Sequence, residues 1–133
     1  MTLREDGETV PTVAADGLRV DRVVHGSVVV YRVDGEIDAL TAPLLDQALA
    51  AAADVPDAVS HVVLDLSEVP FLSSAGLSIL VDHHGRCAAS GVGLSVVAKQ
   101  HPVLRSIQIT ALDRIIPLHP TVFDALTAAG RPN

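Results

Sequence analysis

The 133-residue sequence contains one cysteine, no tryptophan, one tyrosine and two phenylalanines. A lone thiol, Cys87, excludes an internal disulfide. Aromatic residues make up 2% of a chain that is 49% hydrophobic, so its core must be built from Val, Leu, Ile and Ala, and it lacks rings on which bases stack. Positive charge is also scarce. Nine Lys and Arg stand against 16 Asp and Glu, a formal charge of -7 that repels phosphate backbones and anionic bilayers. This argues against direct binding to nucleic acid or membrane and suits a protein partner with a basic face. No apolar run approaches the ~18 residues of a membrane span. Met1 to Val10 carries charges where a signal peptide needs an apolar stretch. The expected location is the cytoplasm.

What is present suits one domain with one core. Residues 1–16 mix charge, Gly and Pro without periodicity and read as a flexible N-terminal extension, which leaves 17–130 as the folded domain. From Leu18 the pattern alternates (Leu18, Val20, Arg22, Val24), pauses at Gly26-Ser27 and resumes as a β-branched run from Val28 to Val33, a hairpin or two adjacent strands. Thr41 to Ala53 places Leu45, Ala48, Leu49 and Ala52 on one helical face, with Pro43 in the permissive first turn. Val62-Val63-Leu64-Asp65-Leu66 is the unbroken apolar run of a central parallel strand. A second helix is expected from the serines onward, with Leu77, Leu80, Val81, His84 and Ala88 inward and Ser90-Gly91 at its end. Leu94 to Ala98 reads as a strand, His101 to Leu112 as a helix packed through Leu104, Ile107 and Ala111, Ile115 to Leu118 as a short strand, and Thr121 to Ala129 as a final helix. Alternating strands and helices imply parallel pairing through right-handed crossovers.

Catalytic patterns are missing from this framework. His25, His61, His101 and His119 stand at element edges without a ligand set at metal-site spacing, and the adjacent His83 and His84 cannot chelate as an i, i+4 pair does. Ser90-Gly91-Val92-Gly93-Leu94 precedes a strand, whereas phosphate loops follow one and open a helix. Ser74 lacks the flanking glycines of a hydrolase elbow. No metal, no cofactor and no enzymatic activity are expected. The Ser73-Ser74 pair remains, at a strand-to-helix turn. A hydroxyl there caps the helix by accepting from free backbone N–H groups, or it is a phosphoacceptor, since phosphorylation adds about -1.5 to -2 charge at pH 7.

Three segments together are more specific. Gly35-Glu36-Ile37-Asp38, Val62-Val63-Leu64-Asp65-Leu66 and Phe71-Leu72-Ser73-Ser74-Ala75-Gly76-Leu77 resemble, in order and spacing, the STAS domain of bacterial anti-sigma factor antagonists, over about Leu18 to Ala129. The resemblance implies a single α/β domain: a mixed, mostly parallel sheet flanked by about four α-helices, with an N-terminal antiparallel hairpin. It also implies partner switching. In that family the unphosphorylated antagonist captures an anti-sigma factor, a GHKL-type serine kinase, and so frees a sigma factor; phosphorylation by that kinase ends the capture. ATP and Mg belong to the kinase. By motif position the resemblance puts the phosphoacceptor at Ser74. Ser73 is the alternative, because it occupies the place where relatives commonly carry an acid. It puts the partner-binding surface on Glu36, Asp38, Ser73, Ser74, Ala75, Gly76 and Leu77, with Leu77 supporting the helix from beneath, and it allows a weak homodimer. The same fold also serves in sensor or scaffold STAS domains that are not phosphorylated and in accessory subunits of lipid transporters.

Overall fold

A computed structural model describes residues 9–50 and 59–129. Among these residues a six-stranded sheet runs in the order of the sequence. Its strands are Thr9–Ala15 (β1), Leu18–His25 (β2), Val28–Asp34 (β3), His61–Glu68 (β4), Gly93–Val97 (β5) and Leu118–His119 (β6). β1, β2 and β3 pair antiparallel, and β4, β5 and β6 continue from β3 in parallel. The helices are Ala42–Ala50 (α1), Ser74–Ala89 (α2), His101–Ile109 (α3) and Val122–Ala129 (α4).

Side chains on a strand alternate between faces, and here each face meets a different cover. Leu18, Val20, Val29, Tyr31 and Val33 join Leu45, Ala48 and Leu49 of α1, Leu80 of α2 and Val103 and Ile107 of α3 in the larger core. Val23, Val28, Val30, Val63 and Val97 turn to the opposite face, where Ala125, Val122 and Leu126 of α4 pack on them. β4 lies between β3 and β5 and is covered on both faces, which explains its unbroken apolar run. Each fully buried Val or Leu contributes about 1.5–3 kcal/mol, so many aliphatic side chains stand in for the missing aromatics.

Four features differ from the sequence expectations. Residues 9–15, expected within a flexible extension, form β1, paired with β2 from Thr9↔Val23 to Ala15↔Leu18. Asp16 (φ 54) and Gly17 (φ 81) make the connecting turn, whose left-handed residues match the twist of a hairpin. β1 hides from periodicity because it is a largely exposed edge strand, with Pro11 at a bulge where the ladder is interrupted. Residues 1–8, the end of the expected first helix at Ala53 and residue 130 lie outside the described residues.

The second difference is the roll of α2, which buries Gly76, Leu80 and His83 instead of Leu77, Val81, His84 and Ala88. Gly76 sets the roll. A Cβ there would stand 2.5 Å from Leu72 Cδ1 and 2.7 Å from Ile37 Cγ2. Third, α3 stops at Ile109, because Ala111 is left-handed (φ 61); Ala111 is exposed, and Leu112 in the following 3-10 turn takes the core position. Fourth, the last strand is Leu118–His119 alone, held by Val96 and Val97, while Ile116 is buried as a loop residue.

Gly76→Ala is expected to destabilise the domain by about 1–3 kcal/mol, the cost of overpacking a filled core. A lowered midpoint in guanidinium unfolding, with an unchanged slope, is the result that checks it.

Candidate functional site

The site begins where β3 ends. Gly35 (φ 120) turns the chain so close to the hairpin that a Cβ would meet the Gly17 carbonyl. Beyond it the Ile37 N–H donates to the Phe71 carbonyl at 3.0 Å, and the Ser73 N–H donates to the Ile37 carbonyl at 2.8 Å. This isolated parallel bridge, Ile37 to Leu72, carries β3–β4 pairing past the strand ends. Both side chains are buried. Glu36 and Asp38 flank Ile37, so the bridge brings the acidic loop beside the serine turn.

Asp38 and Thr41 hold the loop. The Asp38 carboxylate accepts from the Leu40 and Thr41 N–H groups, both at 3.0 Å. The Thr41 hydroxyl donates to the Glu36 carbonyl at 2.7 Å and accepts from the Asp38 N–H at 3.0 Å. This reciprocal exchange is a capping box at the entry to α1, with Thr in place of the usual Glu or Gln. The Thr41 backbone N–H, with help from the Thr41 hydroxyl and the Leu40 N–H, holds the Asp38 carboxyl below its ordinary range. Thr41 was not singled out in the sequence. The signal for it was Asp-x-x-Thr ahead of the α1 pattern.

The two serines differ in their engagement. Ser73 (φ -81, ψ 174) is the N-cap of α2, and its hydroxyl accepts from the Gly76 N–H at 3.3 Å. Ser74 is the first helical residue and is exposed. Its side chain has no hydrogen-bond partner among the described residues. Ser74 lines an open groove of about 560 Å³ with Leu77, Ser78, Val81, Asp82, Thr110 and Leu112. The roll of α2 leaves Val81 46% exposed and Leu77 half-buried, with Leu77 packed on the core and also lining the groove. Leu40 and Phe71, one in each bridged segment, and Ile109 beside groove residue Thr110 are exposed as well. Asp16, Asp34, Glu36, Asp38 and Glu68 surround a cup of about 390 Å³.

Of the residues singled out, Glu36, Asp38, Ser73, Ser74, Ala75, Gly76 and Leu77 therefore share one corner of the domain. Ser74 and Glu36 are exposed there, Ala75 and Leu77 are half-buried, and Gly76 is buried beneath the turn. Cys87 lies farther along α2, and burial pushes its thiol up, which keeps it protonated and unreactive at neutral pH.

The family model of the STAS domain matches residues 19–125. The chain is 39% identical over 114 residues to the anti-sigma-F factor antagonist RsfB of Mycobacterium tuberculosis, covering 86% of this chain and 91% of that protein. It is 27% identical over 117 residues to RsfA of the same organism, also an anti-sigma-F factor antagonist, covering 88% and 91%. The crystal structure of an anti-sigma factor antagonist from Mycobacterium paratuberculosis is similar with a TM-score of 0.68 at 37% identity, covering 98% of this chain and 100% of that one. The chain belongs to the STAS domain family, among the anti-sigma factor antagonists.

Two predictions concern the loop. Thr41→Val strands the Glu36 carbonyl and the Asp38 N–H and is expected to lower stability by about 1–3 kcal/mol, read by urea unfolding. Asp38 has a folded pKa below its unfolded one, so its contribution is complete above the unfolded value and is lost as pH falls through the folded value. Asp38→Asn should accordingly flatten the acid limb of the curve of stability against pH, followed by thermal unfolding.

Proposed function

We propose that this chain antagonises an anti-sigma factor by docking its Ser74 corner onto it, and that the partner, a GHKL-type serine kinase, ends the docking by phosphorylating Ser74. The observation that carries this reading is the division between the serines: Ser73 is engaged as a helix cap, while Ser74 offers its hydroxyl to solvent at the rim of an apolar groove. Anti-sigma factor antagonists among the relatives supply the partner class.

Unmodified, the corner presents Leu77 and Val81 in the groove, with Phe71 and Leu40 exposed nearby, next to an acidic cup. Burying the apolar side chains drives association. The acids, in a chain of net charge -7, steer a partner with a basic face and set its orientation. Glu36 and the half-exposed edge of Asp38 contribute this charge, Ala75 and Leu77 the apolar contact, and Gly76 the close packing that fixes the turn.

Phosphorylation acts on this interface and spares the fold. A dianion at the first residue of α2 meets free N–H groups and the positive end of the helix dipole. The same dianion adds to the charge of the acidic loop bridged to this turn and lines a groove that docking must desolvate. A cost of ~2–3 kcal/mol weakens binding roughly 30- to 150-fold. ATP and Mg act in the kinase, and this chain supplies only the acceptor hydroxyl. For Ser73 to serve instead, its oxygen must release the Gly76 N–H.

Calorimetric titration of the cognate anti-sigma factor checks the assignment. Ser74→Ala is expected to bind like the wild type and resist phosphorylation, and Ser74→Asp to bind roughly 30- to 150-fold more weakly. Undiminished binding by Ser74→Asp would refute it.

A further inference from the structure

We infer that Asp46, Asp82 and His83 form a binding site for one divalent transition ion of the zinc type, which staples α1 to α2. Asp46 lies on α1, and Asp82 and His83 lie on α2. His83 Nε2 is 2.9 Å from Asp46 Oδ1, and one donor atom from each of the three residues lies within 4.8 Å of the other two. Donors held about 2.0–2.2 Å from a common zinc ion, at right angles or tetrahedrally, sit about 2.8–3.6 Å apart. The His83–Asp46 separation already falls close to that spacing. The Asp82 carboxylate is 53% exposed and, among the described residues, tethered only to Arg86 at 3.1 Å, one turn along α2, so rotation of its side chain closes the third contact.

Burial makes the site selective about geometry. The His83 side chain is 9% exposed and that of Asp46 40% exposed. The imidazole is therefore held by packing, with Nε2 aimed at the Asp46 carboxylate, which solvent reaches. One imidazole with two carboxylates suits zinc and its neighbours better than magnesium or calcium, which favour all-oxygen shells. Three protein donors leave further positions to water. The two carboxylates balance the charge of the dication. Ligand spacing along the chain does not reveal the set: Asp82 and His83 are neighbours on α2, a spacing that does not chelate by itself, and only the fold brings Asp46 of α1 within their reach.

The simpler use of these residues, a His83–Asp46 ion pair joining the helices, does not involve Asp82, and this difference decides the test. The untagged full chain is titrated with Zn²⁺ by calorimetry in a buffer free of chelators, with Mg²⁺ as the comparison ion. One saturable equivalent is expected, together with a raised Tm and displacement of the His83 imidazole signals in NMR spectra. Asp82→Asn, an exposed change that keeps the His83–Asp46 contact, should weaken Zn²⁺ binding by at least the roughly 10- to 100-fold that losing a supporting partner costs. Asp46→Asn should do the same. Absence of one-equivalent binding overturns the inference, and so does binding that Asp82→Asn leaves unchanged, which would return the pair to a plain helix contact. Equal competition by Mg²⁺ overturns the ion class.

Discussion

The paired hydrogen bonds from the Ile37 N–H to Phe71 and from the Ser73 N–H to Ile37 are the constraint on which the functional corner rests. They lie beyond the ends of β3 and β4, in segments that sequence distance alone would leave independent. Ile37 and Leu72, the bridged residues, are also the two side chains against which Gly76 packs. One contact therefore sets three things: the position of the acidic loop, the start of α2 and the roll of that helix about its axis. Loosening it would separate the acids from the serines while leaving the sheet intact.

That roll determines what the surface offers. With Gly76 pressed inward, Leu80 and His83 follow it into the interior, and Val81 and one side of Leu77 face the groove beside Ser74. The exposed hydroxyl and the apolar groove are thus products of one packing decision. The proposed switch therefore acts on binding without unfolding the domain. Ser74 takes no part in holding the turn, and the helix terminus beneath it is a favourable place for negative charge. The unfavourable part of the energy appears only when a partner desolvates the site.

Much of this was legible in the sequence. Val62–Leu66 announced a central strand because a run covered on both faces need not alternate, and Gly26-Ser27 between two β-branched runs marked the β2–β3 hairpin. The loop and serine motifs pointed to one corner through their resemblance to a family, and the fold places them there. What stayed hidden had physical causes. β1 is an edge strand with mostly exposed side chains, so burial imposed no alternation on it, although Asp16-Gly17 marked its turn. The face of α2 was misjudged because the expected stripe followed Leu77, Val81 and His84, whereas Gly76 and His83 are buried for reasons of fit and pairing. Which of Ser73 and Ser74 caps the helix depends on helix phase to within one residue, which periodicity does not resolve.

The central claim, that Ser74 is the switching hydroxyl and Ser73 the structural cap, is tested most directly by mass-spectrometric mapping of phosphate after incubation with the cognate anti-sigma kinase and ATP. The account predicts phosphate on Ser74, loss of the complex, and near-unchanged thermal stability of the modified domain. Phosphate on Ser73, or a complex that persists with Ser74 phosphorylated, would contradict it.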